Sequence, residues 1–262
     1  MRGSPDMLRA DNLVLPGRLA GVGLTLRPGE ITAVVGANGA GKSSLVACLA
    51  GLLRPLAGAV LLDGQPLSAL PPRHRARRIG YLPQSPEVAW DLTVETLVAL
   101  GRLPWQGAAL HRARATPDED VRAVSRALAA MDLETLRHRS ISRLSGGERA
   151  RALAARVLSG EPEWLIADEP LANLDLAHAA ALVRLLRRQA HDEGRGVIVV
   201  VHDLATAMNH ADRVVVLEQG RVVADGPPGE ALTNALVSRV WGLPARWLGE
   251  PGARALALDD LG

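Results

Sequence analysis

Four short runs of nearly continuous apolar residues punctuate this chain: ITAVV (31–35), RIGYLPQ (78–84), EWLIADEP (163–170) and GVIVVVHD (196–203). Each is bounded by polar or glycine-rich residues. Their unbroken Val/Ile/Leu character predicts strands of a parallel sheet covered on both faces, not half-exposed strands. Between the last two runs lies LDLAHAAALVRLLRRQAHDEG, which reads as an amphipathic helix stopped by Gly194. Strand–helix–strand punctuation of this kind predicts an α/β core.

Two other textures interrupt the pattern. GVGLTLRPGE (21–30) and RVVVLEQGRVVADG (213–226) alternate apolar and polar residues between turn residues, as hairpin strands do. From about Pro86 to Gly160 no buried strand is legible. That stretch reads as helices over TVETLVALGRL, DEDVRAVSRALAAMD and GERARALAARVLS, the first capped at Asp91 and ended by Pro104. The organisation expected is one domain: a core from 1–85 and 161–236, a helical subdomain inserted at 86–160, and a tail from 237–262.

Composition adds three exclusions. The formal charge is only +2, weak support for a nucleic-acid partner, since dedicated nucleic-acid domains carry a concentrated basic face, so none is expected. Cys48 is the single cysteine, so no internal disulfide forms, and its apolar surroundings predict a buried small hydrophobe. No run approaches the ~18 apolar residues of a membrane span. The first residues carry no apolar signal core, so the chain is expected to stay in the cytoplasm.

One composition fact points to chemistry. Lysine occurs once, at Lys42, against 29 arginines. It stands in Gly36-Ala37-Asn38-Gly39-Ala40-Gly41-Lys42-Ser43-Ser44, between a predicted strand and the predicted helix SSLVACLAGLL, and matches the phosphate-loop pattern G-x-x-x-x-G-K-[ST]. The glycines let amide N–H groups close around phosphate oxygens. Lys42 then reaches the β- and γ-phosphates, and the Ser43 hydroxyl can ligate Mg²⁺. Arginine is planar and bulkier, so it cannot replace a compact ammonium inside such a loop. ATP and Mg²⁺ are the ligands expected.

Asp168 and Glu169 end the EWLIADEP strand. Asp168 suits the outer shell of Mg²⁺, and Glu169 suits polarising an attacking water. A further element, Leu144-Ser145-Gly146-Gly147-Glu148, opens a helix with a serine and two glycines, another anion-receptive helix start. It lies about a hundred residues after the phosphate loop and twenty before the acidic pair.

Together these motifs resemble the ATP-binding cassette (ABC) ATPases over roughly residues 8–230. The resemblance implies a P-loop NTPase core with a mostly parallel sheet, an N-terminal antiparallel β part and an inserted helical subdomain. It implies that Gln84 senses γ-phosphate and Mg²⁺ and faces a membrane partner. Leu144–Glu148 would be the signature that contacts ATP held by a second copy. Asn173, Leu174 and Asp175 would run along the dimer interface, and His202 would contact γ-phosphate and support Glu169. One phosphate loop and one signature per chain imply a homodimer working with membrane permease subunits and, indirectly, a secreted or periplasmic binding protein, at the cytoplasmic face of the membrane.

ARRIGYLPQ followed by DLTVETLVALGRLP resembles the importers of iron–siderophore complexes, haem and cobalamin. The alternative weighed is a soluble cassette ATPase acting on nucleic acid or ribosomes. Such proteins usually carry two cassettes or a long coiled-coil insertion, and neither is visible. The sequence departs from the family where an aromatic residue usually stacks on adenine: the first aromatic is Tyr81, and Leu15 or Arg18 stands nearest that place.

Overall fold

The computed structural model describes residues 7–84, 91–106, 116–172 and 174–258. They form two compact units, one from residues 1–69 with 186–262, the other from residues 70–185.

The first unit opens with β1 (Leu8–Leu15) and β2 (Leu19–Leu26), which pair antiparallel with Leu8 opposite Leu26 and Leu15 opposite Leu19. β3 (Ile31–Gly36) is buried at every position, which is what its uninterrupted apolar run demands. The helix α1 (Lys42–Leu49) follows directly, and Cys48 lies buried in it, its thiol pushed up by burial and so held as the inert thiol. β4 (Ala57–Leu62) and β5 (Gln65–Pro66) complete an antiparallel sheet in the order β2-β1-β4-β5.

The second unit begins with α2 (Pro72–Arg78) and β6 (Ile79–Leu82). Then come α3 (Val94–Ala99), a 3-10 segment Leu100–Trp105, α4 (Pro117–Ala130), α5 (Gly146–Ser159), β7 (Trp164–Asp168) and α6 (Leu176–His191). The helices α3, α4 and α5 pack on one another, and α4 turns Ala123, Val124, Ala127 and Leu128 inward. Arg102, only 3% exposed, ties them together. Its guanidinium meets Asp120 at 2.7 Å, the Ser159 carbonyl at 2.9 Å and Glu161 at 3.0 Å.

One sequence expectation fails here. The cap of α3 is Thr93, whose hydroxyl accepts the Thr96 amide at 3.2 Å, and not Asp91. Thr93 immediately precedes the helix in extended conformation, so its short side chain reaches the third helical amide. Asp91 stands two residues too early. It accepts instead from the Ser140 hydroxyl and from the Ser142 amide at 3.2 Å, bonds that hold its carboxyl below the usual range.

The chain returns to the first unit as β8 (Gly196–Val200), α7 (Leu204–His210), β9 (Arg213–Glu218) and β10 (Arg221–Gly226). β3 lies parallel between β8 and β9, and β10 folds back antiparallel on β9 through a turn at Gln219 and Gly220. The tail adds α8 (Pro228–Ala231), α9 (Asn234–Trp241) and the hairpin β11 (Ala245–Leu248) with β12 (Ala255–Leu258). It is fastened by the Trp247 indole N–H on the Leu232 carbonyl at 2.6 Å and by Asn209, whose side chain makes two bonds with the Arg254 backbone at 2.8 Å.

Candidate active site

The phosphate loop is the turn between β3 and α1. Gly36 has φ 153° and Gly41 φ 102°, and both are crowded: a side chain at Gly36 would lie 2.2 Å from the Leu217 carbonyl oxygen, and one at Gly41 2.3 Å from that of Arg18. Only glycine fits either place. Lys42 is 5% exposed, and its ammonium donates to the carbonyls of Gly36 at 2.8 Å and Ala37 at 3.0 Å. The charge is therefore held across the mouth of its own loop. Asn38, Gly39 and Ser43 face outward, while Ala40 and Ser44 are buried. Ala40 accepts the Gly220 amide at 3.0 Å, which ties the loop to the β9–β10 turn.

His202 follows from strand register. β3 and β8 run parallel with Val34 opposite Val200, so His202 stands level with Gly36. It is exposed, and the next residue, Asp203, caps α7 by accepting the Ala205 and Thr206 amides at 3.1 and 3.0 Å. The cap fixes where the strand ends and so fixes the histidine's backbone.

The second unit repeats the device. β6 and β7 run parallel with Leu82 opposite Ala167, so Gln84 stands level with Glu169. The Gln84 side-chain amide donates to Glu169 Oε2 at 2.5 Å. Glu169 has φ 53°, a left-handed conformation that a non-glycine residue adopts at a cost. Asp168 is 3% exposed and hydrogen-bonded to Tyr81. Burial first, then the Asp168 charge and hydrogen bond, push the Tyr81 phenol up to about 12, so it remains a proton donor. Sequence reasoning missed Tyr81; its place in YLPQ, three residues before Gln84 on β6, was the available signal.

Ser145 caps α5 in a reciprocal box. Its hydroxyl accepts the Glu148 amide at 3.2 Å, and Glu148 Oε2 accepts the Ser145 amide at 2.7 Å. These bonds hold the Glu148 carboxyl below the usual range. Leu144, in extended conformation, leads into the cap, and Gly146 and Gly147 form the first turn. A side chain at Gly147 would come within 3.8 Å of His178 Nδ1. His178, also missed from sequence, bonds Asp175 twice, amide to Oδ1 at 2.9 Å and ring to Oδ2 at 2.7 Å. These bonds keep the Asp175 carboxyl below its usual range. Gln84, Glu169, Leu174, Arg151 and His178 line one cleft within this unit. Asn173 lies outside the described residues.

Each unit carries oxygens suited to Mg²⁺: the Ser43 hydroxyl in the first, and in the second the Gln84 amide oxygen, with the Asp168 carboxylate suited to the outer shell. All are hard oxygens, the ligand chemistry of Mg²⁺. The Gln84 nitrogen is engaged by Glu169, which leaves its oxygen for that task. Among the described residues no helix is long and apolar enough to cross a membrane.

Comparison with known proteins agrees with this geometry. The ABC transporter family model matches residues 19–172. The hemin import ATP-binding protein HmuV of Nocardia farcinica is 46% identical over 253 residues, covering 93% of this chain and 85% of the relative. HmuV of Myxococcus xanthus is 44% identical, covering 90% of each. Among solved structures, CbiO1 of Clostridium perfringens, part of the ABC transporter complex CbiONQ, superposes with a TM-score of 0.76 at 29% identity, over 90% of this chain and 94% of that one. The dimeric cassette MJ0796, at 24% identity and TM-score 0.74 over 84% of this chain and 98% of its own, shares the fold.

Proposed function

This chain belongs to the ABC transporter family as an ATPase cassette, and from that premise we propose that it energises uptake of haem, or a related iron or cobalt chelate, through separate permease subunits. The relatives named for hemin import, similar over nine-tenths of the chain, support the cargo class. The Gln84–Glu169 bond carries the hydrolytic reading, because it holds a carboxylate in one defined orientation at the end of a buried strand.

In this reading the loop amides of residues 36–44 and Lys42 grip the triphosphate of ATP. Glu169 accepts the proton of the attacking water, with Gln84 fixing its direction and His202 supporting it from the end of β8. Ser43 and Gln84 would hold Mg²⁺ with Asp168 in its outer shell, and the ion would neutralise phosphate charge. Leu144–Glu148 offer the α5 N-terminus to the nucleotide of a second copy, and Asn173–Asp175 run along the contact between the copies. Residues 86–160 act as the helical subdomain that passes the motion to the permease at the cytoplasmic face of the membrane. A secreted or periplasmic binding protein delivers the cargo.

The test is reconstitution in liposomes with a haem-importer permease and its haem-binding protein. Haemin-loaded binding protein is expected to stimulate ATP hydrolysis and haemin accumulation together. Stimulation by an unrelated cargo, such as a sugar, and none by haemin or another metal chelate would overturn the cargo class. Turnover that never depends on the permease would overturn the transport role.

A further inference from the structure

The run PPRHRARR (71–78) is not used by nucleotide chemistry, and the structure makes it α2, a helix with no acidic residue. Arg73 and His74 are exposed and Arg75 is half-exposed. Among the described residues neither Arg73 nor Arg75 has an ion pair, whereas Arg78 meets Glu163. Arg77 is met by a carbonyl and a ring: its Nε donates to Pro104 O at 2.9 Å, and its guanidinium lies 4.8 Å from the centre of the Trp105 ring. That bond fastens α2 to the 3-10 segment carrying Leu103, whose side chain is 54% exposed. Arg73 stands one turn before Arg77 on the same flank of the helix.

We propose that α2 and the segment Leu103–Trp105 form a footing on the anionic phospholipid headgroups of the membrane. The chemistry is that of an interfacial surface: uncompensated guanidiniums for headgroup phosphates, beside the exposed aliphatic side chain of Leu103. Charge complementarity is local, because the whole chain carries a formal charge of only +2. A nucleic-acid strand fits the same patch less well. Base stacking needs an open aromatic face. Here the Trp105 ring has Arg77 and Arg102 at 4.8 and 5.1 Å, and its N–H is bonded to Gly160 O at 3.0 Å. The contact is with lipid and needs no permease, so it stands or falls separately from the transport reading.

The experiment is sedimentation of the full chain with vesicles of phosphatidylcholine alone or mixed with phosphatidylglycerol, at physiological salt. Binding is expected to the mixed vesicles only. Each arginine near an anionic surface is worth about fivefold in affinity. The double variant Arg73→Glu/Arg75→Glu is therefore expected to lose roughly 25-fold or more, with unchanged ATP hydrolysis in solution. Leu103→Ser is expected to weaken binding further. Should charge reversal disturb folding, Arg73→Gln/Arg75→Gln provides the same comparison. Equal binding to both vesicle types, undiminished binding by the arginine variants, or displacement of vesicles by lower concentrations of single-stranded RNA would overturn the proposal.

Discussion

The side-chain amide of Gln84 and the carboxylate of Glu169 are bonded at 2.5 Å, although 85 residues separate them. Parallel register produces this contact. Leu82 pairs with Ala167, and the chain leaves both strands on the same side, two residues later. The left-handed backbone of Glu169 then turns its carboxylate toward the amide. The carboxylate proposed to orient water is thus held in place by a neutral amide donor.

Glu169→Gln is expected to lower ATP turnover by about 10²–10⁴-fold, the usual worth of a general base. Nucleotide binding should survive, so an ATP-bound dimer should accumulate. Phosphate release and light scattering of the purified chain check both halves. Full turnover by this variant would reject the water-orienting role.

Lys42→Arg is expected to fail almost as completely as Lys42→Ala. The ammonium reaches two carbonyls of its own loop from a 5% exposed position, and a planar guanidinium is too wide for that place. Titration calorimetry with ATP is the measurement; near-normal affinity in the arginine variant would show that only charge matters.

Gly36→Ala and Gly39→Ala separate crowding from conformation. Both glycines have positive φ, but a side chain at Gly36 meets the Leu217 carbonyl at 2.2 Å, whereas at Gly39 nothing lies within 4 Å. Gly39→Ala should cost about 1–2 kcal/mol from the left-handed backbone alone. Gly36→Ala should cost clearly more, about 4 kcal/mol or above, because strand β9 must shift. Thermal melts of both variants decide; equal losses would show that the loop yields.

Much of this was legible in the residues, and the limits have physical causes. The buried strands and the phosphate loop announced themselves because an unbroken apolar run and a glycine-spaced lysine each have few structural solutions. Hairpins around Gln219-Gly220 followed from alternation. The cap at Thr93 was misplaced because Asp91 is an equally good capping type, and only the path of the chain toward Ser140 decides between them. Tyr81 was missed because its partner Asp168 is brought near by tertiary folding, and His178 because an imidazole three residues after an aspartate predicts nothing by itself. β6 and β7 pair with each other and share a compact unit with the helices, a grouping set by strand pairing that no local pattern in the sequence announces.

Ser145→Ala should lower stability by about 1 kcal/mol at neutral pH, the ordinary worth of a helix cap. The loss should shrink in acid. Glu148 is held below its unfolded pKa by the Ser145 amide and hydroxyl, with smaller help from Arg139. A carboxylate depressed in the folded state stabilises above its unfolded value, about 4.3, and that contribution disappears as pH falls through the folded value. Urea titrations of both proteins at neutral pH and near pH 3 test this; a gap that widens in acid would reject the sign.

Arg18 is expected to set a weak preference between nucleotides. The turn from Leu15 to Arg18 closes on itself at 2.9 Å, and the Arg18 carbonyl abuts both Gly41 and Gly220. Its guanidinium reaches the Ser44 hydroxyl at 3.4 Å, beside the first turn of α1. The resemblance to cassette ATPases places the base over this turn, where no aromatic residue stands. A guanidinium stacks on adenine and guanine alike. ATP and GTP should therefore bind within roughly tenfold of each other, and Arg18→Ala should weaken both by roughly two- to fivefold, the worth of an exposed cation–π contact. Competition binding with a fluorescent nucleotide measures each. A strong preference for ATP, or a loss confined to one nucleotide, would show that base edges are read elsewhere.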